Sequence, residues 1–147
     1  MPIVHHEWTG IGYKPLVFTP SWMTAILNWE PGCDLQNVSE IEVHRNTDEV
    51  FVLWRGHGAL YILENDLIQV EDMRPGVIYN VPAGVWHGCL GSVDVSWVIM
   101  ENRDTHLYDT EVRKLNSIEI QMIHEQAPAW CRDAPDERID TNRENTG

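Results

Sequence analysis

Residues 38–56, VSEIEVHRNTDEVFVLWRG, decide the fold of this chain. They read as two extended segments joined by a polar turn at 45–48. In the first, side chains alternate so that Glu40, Glu42 and His44 share one face and Ile41 and Val43 the other. In the second, Glu49, Phe51 and Leu53 alternate with Val50, Val52 and Trp54, a pattern that predicts burial on both sides. Glu49 therefore opens a buried strand. A buried carboxylate without a partner is costly, and a metal ion would compensate it.

A second stretch, residues 75–88, PGVIYNVPAGVWHG, supplies the complement. Pro82 and Gly84 mark a tight turn, after which Val85, Trp86 and His87 begin a new strand that carries His87 inward. Imidazole nitrogens and carboxylate oxygens are ligands for zinc, iron, manganese and nickel. Two His with one or two carboxylates suit a catalytic ion with open positions.

Outward from these stretches the pattern is uniform. From Leu16 to Met100, short runs rich in Val, Ile, Trp, Phe and Thr (LVFT, WMTAILNW, ALYIL, LIQV, VIYNV, SVDVSWVIM) are separated by PGCD, RGHG, END, RPG and PAG. Strands so close together, with no helix between them, must pair antiparallel, as in a sandwich or barrel. After Asn102 the character changes: residues 109–126, DTEVRKLNSIEIQMIHEQ, predict one or two helices, with Ser117 as a cap. The acid-rich stretch 132–147 is expected to be mobile or loosely docked.

The formal charge of −13 would repel phosphate backbones and anionic lipid surfaces, which argues against nucleic acid and membrane partners. No apolar run is long enough to span a bilayer, and the first residues lack a signal-sequence pattern. Cys33, Cys89 and Cys131 are odd in number and widely spaced, so a reducing cytoplasm is expected. The length suits one domain over 1–147, with a barrel at about 12–102 and a helical segment and tail beyond it. His5 and His6 read as a solvated strand end.

The two stretches together resemble the paired motifs of the cupin superfamily. The first motif has two His one residue apart, then four residues, Glu, six residues and Gly; Glu42, His44, Glu49 and Gly56 occupy those places, with Glu in place of the first His. The second has Gly, five residues, Pro, one residue, Gly, two residues and His, matched by Gly76, Pro82, Gly84 and His87. Its closing Asn is Gly91, and the leading Gly of the first motif is Gln36. The resemblance implies an all-β, antiparallel jelly-roll barrel with one divalent metal ion (Mn, Fe, Zn or Ni) at His44, Glu49 and His87, and with Glu42 at the fourth ligand position.

Glu42 stands at a ligand position with a different residue type, and three roles remain open for it. It is a fourth ligand, an unliganded general base beside a three-ligand site, or half of a metal-free acid–imidazole pair. Tyr13, Lys14, Arg45, Tyr61, Tyr79, Glu101, Asn102 and His106 are further candidates for the same cavity, without an assigned role. The expected activity is a metal-dependent enzyme on a small polar substrate such as a sugar or organic acid, isomerase-like or dioxygenase-like, in a homodimer. The alternative is a non-catalytic barrel that binds a small molecule.

Overall fold

The computed structural model describes residues 1–132. In chain order the strands are β1 (Tyr13–Phe18), β2 (Trp22–Asn28), β3 (Glu40–Val43), β4 (Glu49–Arg55), β5 (Gly58–Glu64), β6 (Leu67–Asp72), β7 (Ile78–Val81), β8 (Trp86–Gly91), β9 (Ser96–Asn102) and β10 (Glu111–Lys114). Helix α1 (Thr105–Tyr108) lies between β9 and β10, and α2 (Ser117–Gln126) follows β10. Two five-stranded sheets result, ordered β1-β2-β9-β4-β7 and β10-β3-β8-β5-β6, with antiparallel pairing throughout. This is the expected all-β jelly roll.

Alternation along the strands builds the core between the sheets. Ala25, Leu27, Phe51, Leu53, Trp97 and Ile99 point inward from the first sheet and meet Leu60 of the second. Trp97 is fully buried and lies over Gly58 and Gly91, register partners on β5 and β8. A Cβ at Gly58 or Gly91 would come within 2.7 or 2.8 Å of its ring. That contact explains why Gly, not Asn, closes the second motif.

The second sheet is covered on its outer side as well. Ile41, Ala59, Tyr61, Ile68 and Leu90 form a second apolar cluster with Leu115 and Ile123, the latter on α2. The N-terminus of α2 is capped by Asn116, whose side chain accepts from the Glu119 N–H while the Glu119 carboxylate accepts from the Asn116 N–H. Asn116 thus takes the capping role expected of Ser117, which lies inside the helix. A side-chain oxygen satisfies an orphan N–H from the position just before the helix, not from within it.

Other expectations are corrected in the same way. Residues 111–114 are strand, not helix, because they close the free edge of β3, pairing Glu111 with Val43 through Lys114 with Glu40. An open ladder edge overrides local helix propensity. Only one side of β4 is fully buried: Phe51 and Leu53 are inside, whereas Val50 and Val52 are half-buried and Trp54 is 51% exposed. The run expected to extend from Ser92 starts its strand at Ser96, after a turn. Of the stretch 132–147 only Arg132 lies within the described residues.

Candidate metal centre

The site sits where the ends of the two sheets face each other. Glu42 on β3 pairs directly with His87 on β8, so both side chains leave the second sheet on the same side. Two residues beyond Glu42, His44 follows the end of β3. Its carbonyl accepts from the Gly84 N–H at 2.7 Å, which ties the 82–85 turn of the second motif to the first. Glu49, the first residue of β4, and Glu101 on β9 approach from the opposite sheet.

The four expected residues converge. One ligand atom from each of Glu42, His44, Glu49 and His87 lies within 4.8 Å of the others. Glu49 Oε2 is 2.9 Å from His44 Nε2 and 2.7 Å from His87 Nε2, and Glu42 Oε1 is 4.0 and 3.7 Å from the same nitrogens. The side chains of His44, Glu49 and His87 are nearly inaccessible, whereas that of Glu42 is 39% exposed.

The far nitrogens orient both rings. His44 Nδ1 lies 2.8 Å from the Asp109 carbonyl and His87 Nδ1 lies 2.9 Å from the Val85 carbonyl, so each Nδ1–H donates to a backbone oxygen. A neutral imidazole fixed in this way presents its Nε2 lone pair, as a metal-ligating histidine does. The donor set of two imidazoles and two carboxylates with oriented nitrogens fits a divalent ion. Asp109 does more than hold His44, because its carboxylate also accepts from the Arg45 and Asn46 N–H groups at 2.9 Å each, fixing the turn between β3 and β4.

Three of the unassigned candidates, Tyr13, Glu101 and His106, join the site. Tyr13 donates to Glu101 Oε1 at 2.7 Å, and Glu101 Oε2 lies 3.7 Å from His44 Nε2, buried and without a hydrogen-bond partner among the described residues. All three line a cavity of about 320 Å³ above the four-residue cluster, where the His106 and Tyr13 ring centroids are 5.9 Å apart. The others lie elsewhere. Lys14 sits over Trp8, Arg45 pairs with Glu111 at the surface, and Asn102 donates to the Asn46 carbonyl. The Tyr61 hydroxyl donates to the Glu40 carbonyl, and that of Tyr79 accepts from the Arg74 N–H. Asp109 escaped the sequence reading, since nothing local marks a residue that reaches His44 through the return of β10.

Charge is coupled throughout the cluster. Burial lowers the His44 imidazolium, but the Glu49 hydrogen bond and charge outweigh it and push the group up to about 9. His87 is raised by the same balance. Burial would raise Glu49, yet the hydrogen bonds from both imidazoles lower it. Burial, followed by the charge of Glu49, pushes Glu101 up to about 7 and raises Glu42.

A pH dependence follows. In metal-free protein, the His44 contribution is complete below its ordinary value of 6.5 and is lost as pH rises through about 9. Ionisation of Glu101 near pH 7 acts in the same direction. Thermal unfolding in chelator should therefore show a loss of about 3 kcal/mol between pH 6 and 9. With metal bound the slope should reverse, because an ion takes neutral imidazoles and competes with protons. A melting temperature that rises with pH in chelator would contradict this assignment.

Neither protein-family models nor curated protein sequences match the chain. Solved structures do. KdgF from Halomonas sp. superposes with a TM-score of 0.53 at 17% identity, over 69% of this chain and 92% of its own. PAC13 from Streptomyces, a variant seen with uridine, gives 0.52 at 13% identity over 74% and 82%. Hydroxypropylphosphonic acid epoxidase from S. wedmorenis gives 0.51 at 16% identity over 61% of this chain and 49% of its own. The chain has the cupin fold. Its paired motifs lie on the strands and turns that bring the His and Glu residues together.

Proposed function

We propose that the protein is a metal-dependent enzyme acting on a small polar molecule such as a sugar or organic acid, and that His44, Glu49 and His87 hold one divalent ion with Glu42 beside it, unliganded. The observation that carries this is the contrast in exposure within the cluster. Three of the residues are sealed in the floor of the cavity, while Glu42 stands half-exposed where a substrate would arrive. A bound ion would polarise a carbonyl or hydroxyl oxygen of the substrate. Glu42 Oε1 is then the carboxylate placed to take a proton, which favours isomerase-like chemistry over oxygen activation. Tyr13 and Glu101 face the same space and orient the substrate. The epoxidase and the uridine-bound protein show that this fold houses an enzyme and a small polar ligand elsewhere.

Elemental analysis of protein purified without chelator or affinity tag should find about one divalent ion per chain. In D2O, a panel of aldoses, ketoses and hydroxy acids followed by NMR should reveal exchange of a C–H beside a carbonyl, with oxygen uptake measured in parallel. Metal without turnover of any member would leave a binding module. Glu42→Gln should lower metal affinity about tenfold and abolish exchange, while the metal-free melting temperature stays within about 1 °C.

We further propose a cytoplasmic homodimer. The three free cysteines support the compartment. Among the described residues, no helix is long and apolar enough to cross a membrane. For the dimer, Ile26, Val98, Val52 and Ile78 form a continuous apolar row across β2, β9, β4 and β7 on the outer face of the first sheet. On a chain this acidic, an apolar row with no acidic residue in it suits a second copy of itself through an isologous contact. Val52→Lys should convert a dimer into a monomer by light scattering; a wild-type monomer would refute the proposal.

A further inference from the structure

The cavity above the metal-binding cluster is one-sided in charge. Glu30, Glu42, Glu49 and Glu101 all line it, and no Lys or Arg among the described residues does. The other polar groups of the lining are His44, His87 and His106, the Tyr13 and Thr110 hydroxyls and Cys89. Glu30 is exposed and lines both this cavity and a neighbouring one of about 200 Å³. An entering molecule therefore meets a carboxylate first.

A second, independent observation concerns Glu101. Its residue is only 7% exposed, and its Oε2 is the single buried side-chain oxygen or nitrogen among the described residues that lacks a hydrogen-bond partner. A buried acceptor of this kind is retained at a cost unless something donates to it. Tyr13 holds the other oxygen at 2.7 Å, so the carboxylate cannot turn freely to find a donor. The free oxygen lies 3.7 Å from His44 Nε2, beside the place where a substrate would sit.

We infer that the site selects a non-anionic, donor-rich substrate, a neutral polyol or sugar whose hydroxyl donates to Glu101 Oε2, and that it rejects carboxylates and phosphates. This rests on the proposed function and narrows its substrate class from sugars or organic acids to the former. The physical reason is a difference in desolvation. An organic acid would have to shed water beside Glu30 and Glu101, with neither Lys nor Arg in the described lining to pair with. A hydroxyl loses little and satisfies an acceptor that is otherwise unpaired. Such a site discriminates by rejection as much as by attraction.

Matched pairs of polyol and sugar acid test this: ribitol with ribonate, and glucitol with gluconate. Each is titrated calorimetrically into the full-length protein, both metal-loaded and chelator-treated, with the metal content determined by elemental analysis. The polyols should bind at least tenfold more tightly than the acids in both forms, because Glu30 and Glu101 stand outside the ligand set and line the cavity with or without the ion. Glu30→Gln, outside the ligand set, should strengthen acid binding about threefold and so narrow the gap between each acid and its polyol. Glu101→Gln should weaken polyol binding about tenfold. An acid that binds as tightly as its polyol, or polyols that fail to bind at all, would overturn the inference. A protein that prefers polyols but carries no metal would instead overturn the metal-dependent enzyme and leave this selectivity standing.

Discussion

His87→Ala should bind metal at least about a hundredfold more weakly than wild type and, freed of metal, should melt about 10 °C lower. Both effects have one origin. The His87 side chain is only 2% exposed, and its Nε2 sits 2.7 Å from Glu49 Oε2. Its Nδ1–H is held by the Val85 carbonyl. Truncation removes a proposed ligand whose orientation is already fixed, so neither water nor a neighbouring side chain replaces it in the same place. In the metal-free protein it also takes away one of the two imidazoles that neutralise Glu49. Half-breaking a buried charged cluster costs about 3 kcal/mol, whereas Glu42→Gln, at the exposed corner of the same cluster, should cost much less. Elemental analysis with calorimetry in chelator measures both quantities. An unchanged melting temperature in His87→Ala would mean that the cluster is not the compact charged unit its distances describe.

The second large effect concerns stability away from the ligands. Gly56, Gly76 and Gly84 are all motif glycines with positive φ, at 71°, 76° and 83°. They are not equivalent. A Cβ on Gly56 would lie 2.7 Å from both the N and Cα of Val95, which are backbone atoms with little freedom to retreat. At Gly76 and Gly84 the same Cβ meets nothing within 4 Å. Gly84→Ala should therefore cost only the left-handed strain, about 1–2 kcal/mol. Gly56→Ala adds a backbone clash and should cost about 3–5 kcal/mol, a large fraction of the about 5–15 kcal/mol that holds a typical domain. Urea denaturation of the two variants side by side gives the difference. Equal costs would show that the strand end at Gly56 moves away from Val95 more easily than the packing implies.

These two variants also mark how far the sequence could be read. The spacing of His44, Glu49, Pro82, Gly84 and His87 exposed the motifs, because each residue has a distinctive chemistry at a fixed interval. Alternation placed Glu42 and His44 on one side of a strand, and the structure finds Glu42 opposite His87. What escaped were relations between distant segments. Asp109 reaches His44 across 65 residues of chain. Glu101 and Tyr13 are 88 residues apart and meet only because β1 and β9 both flank β2. The strand at 111–114 was read as helix because the demand of β3 for an edge partner is invisible in those four residues.

The sequence by itself determined that this is an antiparallel all-β chain and which His and Glu residues gather in one cluster. Strand periodicity, turn residues and motif spacing are local properties, carried by neighbours a few positions apart. Only the tertiary structure decided the rest: that Glu42 is the exposed corner of the cluster, that Gly56 is crowded and Gly84 is free, and that Glu101 brings an unpaired oxygen beside His44. Exposure, crowding and the satisfaction of a buried polar atom depend on which segments pack together, and the folded chain alone sets that.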